Sequence, residues 1–272
     1  MTASKPPADP LGDRMKRDYE DRTRYRLPRR TYTLLRIDGK SFHTYTKGCA
    51  RPFDRDLMAD MDAAALALCE SVDGAKLAFV QSDEISVLLT DFASQHTEAW
   101  FDGNLQKIAS VSASIVTAHF NAARARRHGS PDTLAYFDCR VWTIPSPVEV
   151  FHYFLWRQKD ATRNSVSMTA QSHFPHGSLQ GKNSAQLQEM LWQERGINWN
   201  DLPTGFKRGR VIERVAVTGD ILYTDRRTGR ECQAEGVTRH VWRINDEPPI
   251  FSQERDWLLA RIPRDGGDTP NE

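Results

Sequence analysis

Between Leu34 and His43 the chain reads L-L-R-I-D-G-K-S-F-H, an apolar run that arrives at a carboxylate and then a glycine. Aromatic and β-branched residues over Tyr32–Ile37, followed by Asp38-Gly39, predict a strand that ends in a tight turn. Such a turn suits a hard cation held against phosphates, because these cations take carboxylate and carbonyl oxygens and are shared with substrate phosphates. One acid is seldom enough. A second stretch, Lys76–Thr90, reads K-L-A-F-V-Q-S-D-E-I-S-V-L-L-T and predicts a hairpin with Asp83 at its tip. The fold has to accommodate both strand ends, and a shared site requires that they meet.

With 272 residues the chain can bury a sizeable core, as one large domain or two small ones. No apolar run approaches the roughly 18 residues of a membrane helix, and M-T-A-S-K-P-P-A-D-P at the start lacks a signal-peptide core. The expectation is a cytoplasmic protein with no membrane partner. Cys49, Cys69, Cys139 and Cys232 are widely spaced, which argues against a zinc knuckle or a disulfide framework. Net charge is +1, so bulk charge does not announce a nucleic-acid binder. Local clusters remain: Arg22, Arg24, Arg26, Arg29 and Arg30; Arg124, Arg126 and Arg127; Lys207, Arg208 and Arg210. Each can track a phosphate backbone or simply be solvated surface.

In chain order, residues 1–13 read as a disordered lead-in and Met15–Tyr25 as a short helix stopped by Pro28. Phe53–Val72 carries Leu57, Met61, Ala64, Ala65 and Leu68 at helical spacing. Trp100–Ala125 reads as a long helix with Lys107 and Ser110 on one face. Tyr136–Ile144 is a strand. Val148–Asn164 is a helix that continues or restarts over Ser167–His173, and Leu187–Glu194 is a short one. Runs at Val211–Thr218, Ile221–Thr224 and His240–Ile244 predict antiparallel strands, and residues 263–272 a loose tail. The order strand, helix, hairpin, helix, strand is the β-α-β-β-α-β pattern of a ferredoxin-like unit. The expected class is α+β: a polymerase or cyclase palm with helices on one face of an antiparallel sheet. The palm would take residues 14–145, and residues 146–262 its remainder plus a helical and β extension contacting RNA.

On adjacent strands Asp38 and Asp83 can hold two divalent metals about 3.5–4 Å apart, one activating an attacking oxygen and one neutralising a triphosphate. The Gly39 carbonyl is a natural third ligand. The N–H groups of Lys40–His43, with Ser82, form a candidate phosphate cradle. Glu84 points opposite to Asp83 in a regular strand, which weakens it as a ligand.

The segments R-I-D-G-K-S-F-H (Arg36–His43), Q-S-D-E-I-S (Gln81–Ser86), F-D-C-R-V-W (Phe137–Trp142) and F-L-W-R-Q-K-D-A-T-R-N-S (Phe154–Ser165) occur in that order. So do L-Q-G-K-N-S-A-Q-L-Q-E-M-L (Leu179–Leu191) and G-F-K-R-G (Gly205–Gly209). Together, from Met15 to Arg214, they resemble the tRNA-histidine guanylyltransferase family, which adds nucleotides 3′ to 5′. The resemblance implies a palm, two magnesium ions per site, a tRNA substrate and a homotetramer. It implies metal ligation by Asp38, Gly39 and Asp83, with Asp38, Asp83 and Glu84 as the catalytic acids. Triphosphate contacts fall on Asp38, Gly39, Lys40, Ser41, Phe42, His43, Ser82 and Asp83. Contacts to RNA or a second triphosphate are expected at Lys107, Ser110, Arg126, Arg157, Lys159, Asp160, Asn164, Lys207 and Arg208. ATP or GTP would activate a 5′-monophosphorylated tRNA end with release of pyrophosphate, and the 3′-hydroxyl of the incoming nucleotide would then attack that end.

One departure bears on the reaction. Where the eukaryotic branch has H-I-N-N-L-Y-N, this chain has Thr162-Arg163-Asn164-Ser165-Val166-Ser167-Met168. That resembles the bacterial and archaeal branch, which prefers template-directed repair of 5′-truncated tRNA over obligate addition of a single G. The rivals are a nucleotide cyclase and a tRNA-binding protein without catalysis.

Overall fold

β1 (Tyr32–Gly39) is buried on both sides: Leu35 and Ile37 join one apolar cluster, Tyr32 and Leu34 another. A strand of this kind lies inside a sheet covered on both faces. The structure, a computed structural model, describes residues 9–129 and 133–264. β2 (Ala75–Gln81), β3 (Glu84–Leu89), β4 (Phe137–Ile144), β5 (Arg210–Thr224) and β6 (Glu231–Asn245) complete one sheet in the order β4-β1-β3-β2-β5-β6. Every neighbouring pair is antiparallel.

The helices are α1 (Pro10–Met15), α2 (Phe42–Tyr45), α3 (Arg55–Ser71), α4 (Leu105–His128), α5 (Pro147–His173), α6 (His176–Leu179), α7 (Ser184–Arg195), α8 (Thr204–Arg208) and α9 (Arg255–Leu259). α3 starts where Asp54 caps it, its side chain accepting from Leu57 N–H at 2.8 Å. α3 and α4 cover one face of the sheet through Met61, Ala64, Leu68, Ile108, Val116 and Phe120. They are tied by fully buried Asp60, which accepts from Arg124 and Arg127 at 3.3 and 2.8 Å. α5 and α9 cover the other face, where Val150, Phe151, Phe154 and Leu258 meet Leu34, Leu77, Phe79 and Leu88.

The expected order of strands and helices holds, and so does the Lys76–Thr90 hairpin. Helices on a single face do not: the strands carry apolar residues on both sides, and α5 takes the second. α5 is also one helix of 27 residues, with no break between Asn164 and Ser167. The two β5 runs are one strand with a register irregularity between Gly219 and Ile221. β5 pairs with β2, so the residues after 145 complete the same sheet. Of the expected lead-in, residues 1–8 lie outside the described residues. Pro10–Met15 is helical because Asp9 accepts from Gly12 N–H at 2.9 Å and proline fits the first turn. Of the expected tail, residues 265–272 lie outside the described residues. Among the described residues no helix is long and apolar enough to cross a membrane.

Phe154 is fully buried between α5 and the sheet. Phe154→Ala should cost about 3–5 kcal/mol, the usual range for emptying a large core site. Urea unfolding measures it, and a loss below about 1 kcal/mol would mean that α5 is not a core helix.

Candidate active site

Register decides which side chains share a face. Asp38 lies opposite Glu84 of β3 and Asp138 of β4; Arg36 lies opposite Ser86 and Arg140. Residues directly opposite across antiparallel strands project to the same side, so both rows face α5. Two anchors seat the helix on them. The Tyr153 hydroxyl and Ser86 Oγ share a hydrogen bond of 2.7 Å. Arg157 grips the Glu84 carboxylate with Nε at 2.8 Å and Nη2 at 2.7 Å, and donates to Asp160 at 2.9 Å.

The turn between β2 and β3 is only Ser82 and Asp83, because Gln81 already pairs with Glu84. Ser82 sits at φ +46°, in the left-handed region. This tight turn brings Asp83 into the electrostatic reach of Asp38 at the end of β1. Burial pushes the Asp83 carboxyl above its ordinary 3.8, and the Asp38 charge adds to it, against hydrogen bonds from Asp83's own N–H and from Ser82. Glu84 is raised as well: burial outweighs the nearby Arg157 and Arg36 guanidiniums.

After Asp38 the chain turns into α2 through Ser41, at φ +55°. Lys40 N–H donates to the Tyr136 carbonyl at 2.8 Å, so it is not free for a phosphate. The N–H groups of Ser41, Phe42 and His43 meet no backbone acceptor among the described residues. Gly39 is required beneath this turn, since a Cβ there would overlap the Phe42 ring. That ring is packed against Tyr45, Phe120 and Phe137. A cleft of about 1010 Å³ gathers Gly39, Ser41, His43, Ser82 and Asp83. An apolar cavity of about 520 Å³ adjoins it through shared walls at Phe53, Leu57 and Met168, and Phe206 lies stacked on Phe53 at 4.7 Å.

A family model described as tRNAHis guanylyltransferase matches residues 12–145. The tRNA(His) guanylyltransferase of Saccharomyces cerevisiae is 31% identical, over 71% of this chain and 85% of its own length. The chain belongs to the tRNAHis guanylyltransferase family. Like the other members it is a nucleotidyltransferase. A solved structure of a bacterial tRNA(His) guanylyltransferase (Thg1)-like protein in complex with ATP matches with a TM-score of 0.79 at 43% identity, over 93% of this chain and 98% of that one. A structure in complex with GTP matches at 0.75 and 42%, covering 93% and 99%.

Magnesium, which the family implies, needs oxygen ligands in few protein positions and completes its shell with phosphates and water. Asp38 and Asp83 meet that description, with the Gly39 carbonyl beside them, and the like-charge strain on Asp83 is what a divalent cation would relieve. Glu84 does not join them, because Arg157 holds both its oxygens. No cluster of three or more His, Cys, Asp or Glu side chains fit for a metal occurs among the described residues.

The expected RNA contacts divide. Arg157 is buried and fully engaged, so it is a structural clamp and not an exposed contact. Asp160 accepts from Arg157, Arg163 and Asn164. Lys207 is buried, its ammonium on the Asn200 carbonyl and over the Trp199 ring, so it too is withdrawn. Burial holds that ammonium below the usual lysine range, and Arg208 adds to the shift. Arg208 lies over the same ring. Ser110 donates to the Gln106 carbonyl within α4, and Lys107 lies over Phe101. Lys107 opens α4 beside the Asp73-Gly74 turn, at the end of the sheet away from Asp38. Arg126, Lys159 and Asn164 are exposed, and Asn164 also lines the apolar cavity.

Sequence reasoning passed over Arg140, whose Nη2 lies 3.7 Å from Asp38. Period-two alternation along Phe137–Ile144 would have placed it on the face of Asp138. It also passed over Gln81, which no local signal marked, and read Arg210 only as part of a basic cluster; both line the apolar cavity and keep Oε1 and Nη2 buried without hydrogen-bond partners among the described residues.

Asp83→Asn removes a carboxyl whose folded pKa exceeds its unfolded one. Such a group binds more protons in the folded state, so its contribution to stability falls as pH rises from 3.8 through the raised value. Without metal, the variant's unfolding temperature should match that of the parent at low pH and exceed it at pH 8, while nucleotide addition is lost. Thermal scans across pH check the sign; a parent protein more stable than the variant at pH 8 would contradict the raised pKa.

Proposed function

We propose that this protein extends the 5′ end of tRNA in the 3′-to-5′ direction under the direction of a template base, repairing truncated ends with magnesium and with ATP or GTP as activator. The observation that carries the reading is that Asp83 and the unengaged N–H groups of Ser41, Phe42 and His43 line one cleft, with Asp38 in electrostatic reach of Asp83. Acids for a cation beside donors for a triphosphate are what phosphoryl-type transfer needs from a protein, since catalysis there is positioning and charge stabilisation. The relatives solved with ATP and with GTP support triphosphates as ligands of this cleft. The β-α-β-β-α-β order, with the acids at strand ends, supports a ferredoxin-like palm.

In this reading the 5′-phosphate of the RNA attacks the α-phosphorus of ATP or GTP and pyrophosphate leaves. The 3′-hydroxyl of the incoming nucleotide then attacks the activated 5′-phosphorus and the nucleoside monophosphate leaves. Magnesium, bound by Asp38, Asp83 and the Gly39 carbonyl, would supply charge neutralisation and a more acidic attacking hydroxyl. The chain's N–H groups at Ser41–His43 hold the triphosphate, and Lys40, exposed at the rim, adds a positive charge. Phe53, Leu57, Met168 and Phe206 exclude water beside the reacting phosphates.

Templated addition is favoured by the Thr162–Met168 stretch of α5. Thr162 Oγ1 donates to Gln158 O, and Ser165 Oγ bonds Lys207 O and Trp199 Nε1. These hydroxyls are spent on the fold and are not offered to a fixed incoming base. The extension to a homotetramer rests on the family resemblance alone, and a cytoplasmic location is part of the same proposal.

The test uses purified protein, magnesium, ATP, the four triphosphates and a 5′-monophosphorylated tRNA lacking its first nucleotide, resolved on a sequencing gel. The added base should follow the opposing base across its four variants, and Asp83→Ala should abolish addition. Addition of G alone, whatever lies opposite, returns the reading to single-G guanylylation.

A further inference from the structure

We propose that Trp156 is a stacking platform for an unpaired terminal base of the RNA substrate, an inference that rests on the function just given. Its ring is half-exposed, at 50%. That is unusual for a tryptophan on a helix otherwise sunk into the sheet. The ring is also held rigidly. The Arg157 guanidinium lies 4.4 Å from its centroid, and Arg157 is itself clamped by Glu84 and Asp160. Tyr153 lies in a T-shaped arrangement with it, centroids 5.9 Å apart, and Tyr153 is fixed to Ser86. Two of its neighbours are thus groups that cannot move without unseating α5, and half of the residue is still presented to solvent.

Its place makes this consequential. Tyr153 anchors to the Ser86–Arg36–Arg140 row, and Arg157 to the Glu84–Asp38–Asp138 row. Trp156 sits on α5 between those anchors, over the face that carries Asp38. Helical spacing puts Trp156, Lys159 and Arg163 on one side of α5, and all three are exposed. Lys159 has no acidic partner among the described residues, so its charge is available to a phosphate. A rigid aromatic face flanked by cations is how proteins hold single-stranded nucleic acid, because every base has a π-face to stack. A fully paired duplex end offers no free base to such a ring; a truncated 5′ end, with its partner nucleotide unpaired, does.

The experiment compares Trp156→Phe and Trp156→Ala with the parent. Steady-state addition is read on a 5′-monophosphorylated RNA hairpin carrying one unpaired 3′ nucleotide opposite the missing position, and binding of the same labelled hairpin is read by fluorescence anisotropy. Trp156→Ala should raise the KM and the Kd for this RNA about tenfold, the size of one lost base–aromatic stack. It should leave the KM for ATP in place, and Trp156→Phe should recover most of the loss. A blunt hairpin should bind parent and Trp156→Ala equally. Equal shifts in the KM values for ATP and RNA, no shift in either, or a Phe variant as poor as Ala would overturn the proposal. If the parent adds no nucleotide to any RNA, the proposed function fails, and the anisotropy comparison still decides whether Trp156 binds an unpaired base.

Discussion

The site depends on one buried guanidinium. Arg157 holds both oxygens of Glu84 and one of Asp160, so it ties α5 to the end of β3, next to the turn that carries Asp83. An ion pair this deep is expensive to desolvate and is weak evidence for stability as such. Its value is geometric. A planar fork with fixed donors sets the height of α5 over the sheet and takes Glu84 out of the pool of carboxylates that would compete for a cation. What would remain for a cation in the proposed site is the pair Asp38 and Asp83, a stoichiometry suited to an ion shared with a triphosphate.

The same economy governs the positive charges. The chain has 37 basic and 36 acidic residues, yet the arginine clusters that stand out in the sequence are mostly consumed internally. Arg24 pairs with Glu20, Arg26 with Asp102 and Arg29 with Asp91; Arg124 and Arg127 pair with Asp60, and Arg210 with Asp62. Clustering along the chain therefore says little about where a phosphate backbone would lie. The exposed cations that remain, such as Lys159, are isolated in sequence and acquire meaning only from their neighbours on a helix face.

The acids themselves were legible because their placement is local. A strand that ends in Asp-Gly and a hairpin whose turn is Ser-Asp each fix a carboxylate with information carried by a few adjacent residues. What the sequence hid is long-range. Arg157 lies 73 residues from its carboxylate, and basic residues within a helix motif read as surface contacts until the partner is known. Both faces of β1 are apolar, but period-two alternation does not say what covers each face, so α5 was assigned no side of the sheet. Glu84 illustrates the limit well. Alternation weighed it only against Asp83, while the β1–β3 register reveals that it lands on the face of Asp38.

Glycine at position 39 links chemistry to core. The reason apparent from sequence was close approach of a cation to the carbonyl; the structure adds the Phe42 ring beneath. That ring is packed with Tyr45, Phe120 and Phe137, so α4 and β4 both bear on the turn that presents the free N–H groups. A phosphate cradle is effective in proportion to how little it must reorganise when the charge arrives. Packing an aromatic side chain of the loop itself into the core is a direct way to obtain that stiffness. The cost is that position 39 tolerates no side chain, so the residue following the first acid is constrained by the fold even before any cation is considered.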